Sequence, residues 1–302
     1  MNRGIWYAIG AYAAWGVLPI YWKWLHNVGA LQLLGHRILW SFLLLLAFVV
    51  LARRWPSFRK AALSPRVLRV YLIAAALIGV NWLTYVWAVN AGFIVETSLG
   101  YFINPLLSVL MGVVFLRERL RPWQWVPIGL AAVGVAYLTA TYGRLPWIAL
   151  TLAFSFGFYG LVKKTAPLGS VFGMTLETGI LFLPALLYLL VEEFAGQGAF
   201  LHAGAVSDGL LIGAGLVTTL PLLLFAAAAR RIPLSMVGVL QYIAPTLQLL
   251  IGVLVYNEPF TQAQAIGFGA VWLALALFAA EGTLARRGQI AAGESSNRLP
   301  AD

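Results

Sequence analysis

The chain has no cysteine, and only 10% of its 302 residues are Asp, Glu, Lys or Arg. The first absence excludes a disulfide framework, thiolate catalysis and zinc–thiolate sites. The second excludes an ordinary water-soluble domain, whose composition runs to roughly 25% charged residues. Aspartate occurs only as Asp208 and Asp302, both outside the predicted hydrocarbon core, so an intramembrane aspartyl dyad is missing. Also missing are a His-Glu-x-x-His pair, a Gly-x-Ser-x-Gly elbow and a Walker phosphate loop. Those motifs would carry zinc hydrolysis, acyl transfer and nucleotide binding. The expectation is a non-enzyme with no cofactor, no metal and no use of ATP.

What the sequence does have is apolar length. Hydrophobic residues make up 62% of it, and the mean hydropathy is +0.87. A membrane crossing needs about 20 predominantly apolar residues. Such runs fall near 4–22, 33–52, 70–90, 96–116 and 123–141, then near 145–162, 171–191, 208–229, 235–256 and 263–281. Strands of a membrane barrel would instead alternate in short segments. The predicted fold class is therefore an all-α membrane protein with ten transmembrane helices. The first run closes on Tyr21-Trp22-Lys23-Trp24, an interfacial anchor rather than the small-residue site of a cleaved leader.

The net charge of +10 sorts by side. With a cytoplasmic N-terminus, all of the 20 Lys and Arg except Lys23, Arg37 and Arg144 fall at or near the inner face. Such a bias is the signature of topology, so the charge implies no nucleic-acid partner. It predicts a multi-pass protein of a bacterial-type inner (plasma) membrane with both termini cytoplasmic. The basic segment 53–69 is expected along the anionic surface of the inner leaflet, making lipid a partner.

The chain also matches itself. At an offset of 140, Phe102-Ile103-Asn104-Pro105 aligns with Tyr242-Ile243-Ala244-Pro245, and Gly112, Glu118, Gln124 and Gly129 align with Gly252, Glu258, Gln264 and Gly269. An offset of 141 pairs Gly16 with Gly157 and Lys23 with Lys164. The spacing exceeds the 20–50 residues of solenoid repeats. It fits a duplicated five-helix unit, residues 1–142 and 143–287, followed by a disordered cytoplasmic tail at 288–302. Because five is odd, the second unit enters the membrane inverted. Inverted repeats are a device of secondary transporters, which bind near midplane between the halves. Duplication that merely stabilises an inert bundle is the competing account.

Particular segments carry a resemblance. Thr97-Ser98-Leu99-Gly100-Tyr101-Phe102-Ile103-Asn104-Pro105, Leu116-Arg117-Glu118-Arg119-Leu120, His36-Arg37-Ile38-Leu39-Trp40-Ser41 and Ala153-Phe154-Ser155-Phe156-Gly157-Phe158-Tyr159-Gly160 are similar to the RarD-like branch of the EamA family. That family belongs to the drug/metabolite transporter superfamily. The similarity spans about residues 4–285 and implies two EamA-type repeats moving a small metabolite or drug-like molecule, in the export direction. One departure is Arg117, where many relatives carry Gly; little effect is expected from it.

Within the spans, polar residues are the candidates for function. Asn81, Trp87 and Asn90 on the third run, Tyr101 and Asn104 on the fourth, and Tyr159 on the sixth are candidates to line a substrate cavity. So are Thr218 on the eighth and Gln241, Tyr242 and Gln248 on the ninth. Interhelical hydrogen bonding is the ordinary alternative for each. Ionisable groups at membrane depth are costly unless paired or wetted. His36, Arg37 and Glu177 are therefore gate or coupling candidates, against snorkelling for Arg37 and a simple interhelical bond for His36. Pro105 and Pro245, at matching repeat positions, are hinge candidates. A passive channel or a structural membrane protein remains the alternative to a carrier, with an intramembrane enzyme behind both.

Overall fold

The computed structural model describes residues 2–91, 93–142, 145–256 and, in part, 262–281. The predicted tail at 288–302 lies outside the described residues. Among those described there is no strand. The chain runs through α1 (Arg3–Trp24), α2 (Ala30–Leu51), α3 (Trp55–Ala62), α4 (Pro65–Asn90) and α5 (Ile94–Leu116). After a 3₁₀ turn it continues through α6 (Trp125–Tyr142), α7 (Trp147–Thr165), α8 (Ser170–Phe194), α9 (Ala205–Ala229), α10 (Leu234–Gln241) and α11 (Ile243–Val255). Helical residues recur between 262 and 281. Six of the described helical stretches are long and apolar enough to cross a membrane.

Two features depart from the runs read in the sequence. The short α3 occupies the basic segment between the second and third runs, with Pro56 in its first turn and Arg59 and Lys60 in its last, where a cation suits the helix dipole. The ninth run is not one helix: it stops at Gln241 and resumes at Ile243, with Tyr242 between. Pro245 has no N–H and cannot donate to the Gln241 carbonyl four residues earlier. The break falls beside that missing bond.

The chain divides into two compact units. Among the described residues, one holds 2–117 with 145–256 and the other 118–142 with those between 262 and 281. In the larger unit the outward faces stay apolar, as at Leu44, Phe48 and Leu51 of α2 and Leu183, Leu187 and Leu190 of α8. The inward faces are built from small residues. Gly4, Ala8, Ala11, Tyr12 and Gly16 form the buried side of α1. Lipid-facing helices gain little from burying large apolar groups, so close backbone approach and dispersion hold them together. α2 and α9 show how close: a Cβ on Gly215 would lie 2.6 Å from the Trp40 carbonyl carbon, and Ser41 Oγ donates to the Gly215 carbonyl at 3.1 Å. The main packed pairs are α5 with α7, α1 with α9, α2 with α8 and α9, α5 with α10, α4 with α7 and α8, and α1 with α11.

In the smaller unit, Arg121 pairs with Glu281 at 3.0 Å. Gly134 lets α6 meet Ala270, since a Cβ there would sit 3.1 Å from the alanine's own. The end of α5 carries a further departure. Arg117 caps it at φ 54° in the left-handed region, a conformation Gly adopts freely and other residues resist. The expectation that Arg117 in place of Gly has little effect overlooks that backbone.

Candidate functional site

The helices of the larger unit converge on a cavity of about 140 Å³. Its walls come from both halves of the sequence. α1 supplies Tyr12, Trp15, Pro19 and Trp22; α2 supplies Arg37; α4 supplies Asn81, Trp82 and Tyr85; and α5 supplies Gly100, Tyr101 and Asn104. From the second half come Leu152 and Phe156 on α7, Leu222 on α9, and Gln241, Ala244, Pro245 and Gln248 on α10 and α11. Helical spacing explains the sets: Asn81 and Tyr85, Tyr101 and Asn104, and Leu152 and Phe156 are three or four residues apart and share a face.

Proline makes this level of the bundle polar in its backbone as well. Pro19, Pro105 and Pro245 lack the N–H that would reach the carbonyls of Trp15, Tyr101 and Gln241. The Gln248 Nε2 donates to the Trp15 carbonyl at 3.1 Å, filling the place left by Pro19. Gln248 thus lines the cavity and also repairs α1. Asn81 is likewise partly committed, with its Nδ2 donating to the Leu152 carbonyl at 2.9 Å and Ser155 Oγ at 3.0 Å. Gln241 Oε1 accepts from Ser108 Oγ at 3.3 Å. Asn104 Oδ1 and the Tyr12 hydroxyl are buried and have no hydrogen-bond partner among the described residues.

Arg37 is the cation of the site. Its Nε donates to Thr218 Oγ1 at 3.0 Å, and the guanidinium lies 4.8 Å from the Trp22 ring and 5.1 Å from that of Trp82. Among the described residues no carboxylate pairs with it. A desolvated cation–π contact is worth about 2 kcal/mol, whereas removing an ion from water costs several kcal/mol even after relaxation. Two rings and one hydroxyl offset part of that cost without supplying a negative charge, and the residue also lines the cavity.

Below the cavity, toward the end where α1 begins, the bundle is filled by aromatic rings. Trp15 meets Phe156 and Phe225 at 5.8 and 5.9 Å, Phe156 meets Phe225 at 5.2 Å, and Tyr159 stacks on Phe225 at 6.1 Å. The layer ends on ions. Tyr159 Oη donates to Glu177 Oε2 at 3.0 Å and Lys163 Nζ to Glu177 Oε1 at 2.7 Å. The Lys163 and Glu177 side chains retain 3% and 1% of their surface, so this pair is sealed from solvent.

The residues singled out in sequence divide accordingly. Asn81, Tyr101, Asn104, Gln241 and Gln248 line the cavity, as do Arg37 and Pro245. Thr218 enters as the partner of Arg37. Tyr159 and Glu177 lie beneath the floor rather than in the cavity. Tyr242 lies behind the lining and donates to the Phe102 carbonyl at 3.3 Å. His36 is buried off the cavity with Phe200 against its ring at 5.3 Å. Trp87 is 45% exposed and packs on Phe93 and Trp147, because it sits on a different face of α4 from Asn81 and Tyr85. The Asn90 side chain lies outside the described residues. Pro105 sits inside an uninterrupted α5.

Sequence reasoning missed Lys163, Tyr12, Tyr85 and Phe156. In sequence Lys163 reads as one of the inner-face charges, yet it follows Tyr159 by four residues and shares its helix face. That spacing was the available signal.

A model of the EamA-like transporter family matches residues 2–140 and again 145–280. An uncharacterized transporter, YojE of Bacillus subtilis, is 47% identical over 284 residues, covering 92% of this chain and 93% of its own length. Protein RarD of Streptomyces exfoliatus is 45% identical, over 91% of this chain and 88% of its own. One solved structure, described only as the crystal structure of a protein, superposes with a TM-score of 0.70 over 92% of this chain and 97% of that one. Its identity is 18%, so it speaks for the fold alone.

Proposed function

The chain belongs to the EamA-like transporter family, and from that premise we propose that it carries a small metabolite or drug-like molecule across the inner membrane by alternating access. Ten transmembrane helices, arranged as two inverted five-helix repeats with both termini cytoplasmic, form the carrier. Export is the direction implied by the resemblance to drug/metabolite transporters.

The observation that carries this reading is a cavity shared by the two repeats and closed at one end. Packing supports the repeats. Exchanging α1, α2, α4 and α5 with α7, α8, α9 and α10–α11 turns α1–α9 into α7–α4, α2–α9 into α8–α4, and α5–α7 into α11–α1, all of which occur. Individual contacts follow the same exchange. Gly16 packs against Leu247, and its repeat mate Gly157 packs against Leu107, the mate of Leu247. Phe102 and Tyr242, equivalent positions, touch each other, as residues beside a two-fold axis must. The repeat is a duplication of sequence rather than of compact units, because each half packs mainly through the other.

Such a pair of halves has two equivalent ways to close, which is the physical basis of alternating access. Here the aromatic layer and the Lys163–Glu177 pair act as the closed gate. The repeat mate of Lys163 is Trp22, so the matching place in the other half holds the cation–π contact of Trp22 with Arg37. A sealed floor favours a carrier over a channel, which needs a continuous path.

The test is counterflow in liposomes loaded with candidate substrates. Saturable exchange that is trans-stimulated supports a carrier, whereas flux linear in concentration to the solubility limit rejects it in favour of a channel. Orientation is read separately. A reporter active only in the cytoplasm should work when fused after Arg286 and fail when inserted between Gly196 and Gly204; the reverse pattern refutes the topology.

A further inference from the structure

We infer that the cavity is built for an organic monoanion, a single planar ring bearing one acidic group, with Arg37 receiving the anion. The inference rests on the carrier reading for its biological use, but its chemistry stands on the site itself.

The charge comes first. Among the described residues Lys163 is the buried cation of the larger unit, and it is matched by a carboxylate at 2.7 Å. Arg37 has no such partner among the described residues, and it lines the cavity rather than the packed interior. Its Nε is fixed by Thr218, which leaves the two terminal nitrogens as the donors available to a ligand. A guanidinium fork presents parallel N–H groups that match a carboxylate. One uncompensated positive charge calls for one negative charge.

Shape and polarity narrow the rest. Trp15, Trp22, Trp82, Tyr85, Tyr101 and Phe156 give the walls flat apolar faces. The volume of about 140 Å³ is close to the roughly 150 Å³ that accepts a benzene ring in an apolar protein cavity. One ring therefore fits. Asn104 is 4% exposed, and its Oδ1 is an acceptor without a donor. A buried acceptor is costly to leave unmet, so a hydroxyl or amino group on the ring, away from the acid, completes the fit. Tyr12, 1% exposed, adds an unmet hydroxyl at the cavity wall.

The experiment compares three phenols of different charge, 4-hydroxybenzoate, 4-hydroxybenzamide and tyramine, with benzoate as the acid that lacks the hydroxyl. Binding to full-length protein in nanodiscs is read by quenching of tryptophan fluorescence, since Trp15, Trp22 and Trp82 face the cavity. The acid is expected to bind at least tenfold more tightly than the amide, and tyramine more weakly still. Arg37→Gln should remove the preference between acid and amide, and Arg37→Lys should retain part of it. Asn104→Leu should lower affinity for 4-hydroxybenzoate severalfold while leaving benzoate nearly unchanged. The wild-type comparison needs no variant, so it holds even if Arg37→Gln folds poorly. Equal binding of acid and amide, tighter binding of tyramine, or no saturable quenching by any of the three overturns the inference. Counterflow with the same probes separates the two claims. Exchange of the amide but not the acid keeps the carrier and discards the anion. Binding of the acid with no exchange keeps the anion site and discards the carrier.

Discussion

Removing the charge of Glu177 alone tests whether the floor is sealed as the structure has it. Glu177→Gln keeps the side-chain size and an acceptor for Tyr159, so the change is confined to charge. It strands Lys163 at a place where the lysine retains 3% of its side-chain surface. Breaking one partner of a buried pair costs about 3–5 kcal/mol. At about 2 °C per kcal/mol for a chain of this size, the thermal midpoint should fall by roughly 6–10 °C. Lys163→Met should cost a similar amount, since it leaves the carboxylate with the tyrosine as its one strong partner. The double variant should recover much of the loss, because a buried pair contributes little beyond what neutral residues of equal volume provide. The assay is a thermal melt of each variant in nanodiscs, analysed as a double-mutant cycle. A midpoint within about 2 °C of the parent for Glu177→Gln, or a double variant no better than the worse single, would mean that water already reaches the pair. The absence of native cysteine allows a second readout. A cysteine at Ala228, buried in the same cluster, should react with a thiol reagent severalfold faster in Glu177→Gln if the pair holds the floor shut.

Three further predictions concern separate parts of the molecule. Asn104→Ala or Gln241→Ala should weaken ligand affinity severalfold to about tenfold, as loss of one hydrogen bond of about 0.5–1.5 kcal/mol implies, while Leu44→Ala on the outward face leaves it unchanged; equal titration curves for all three refute the cavity. Arg117→Gly should raise the melting midpoint by roughly 2 °C, because it relieves about 1 kcal/mol of left-handed backbone at φ 54°; a lower midpoint refutes the strain. Gly215→Ala should destabilise by about 1–3 kcal/mol, since its Cβ meets the Trp40 backbone at 2.6 Å. Gly209→Ala, with nothing within 4 Å, should be neutral or stabilising; melts of the two variants check the contrast.

Where helices form is legible in the sequence, because apolar runs of membrane length and the Pro, Gly and basic residues that end them are local signals. Ala30–Leu51 and Ala205–Ala229 lie within three residues of the runs read from hydropathy alone. The sequence also carries the family, through motifs such as Tyr101-Phe102-Ile103-Asn104-Pro105, and it picks out Asn81, Tyr101, Asn104, Gln241 and Gln248 as polar groups at membrane depth. What each of them touches depends on how the helices pack. Asn81 and Trp87 are both plausible lining residues on one helix, but six positions on a helix turn a side chain some 600°, and packing against α7 brings only Asn81 to the cavity. Arg37 and Glu177 read alike in sequence, as isolated charges in apolar runs. The fold gives Glu177 a lysine from fourteen residues earlier and gives Arg37 a threonine from 181 residues away with no carboxylate at all. Charge compensation is a property of neighbours in space, and helices that cross at the level of small residues choose those neighbours in ways that no single run of sequence encodes.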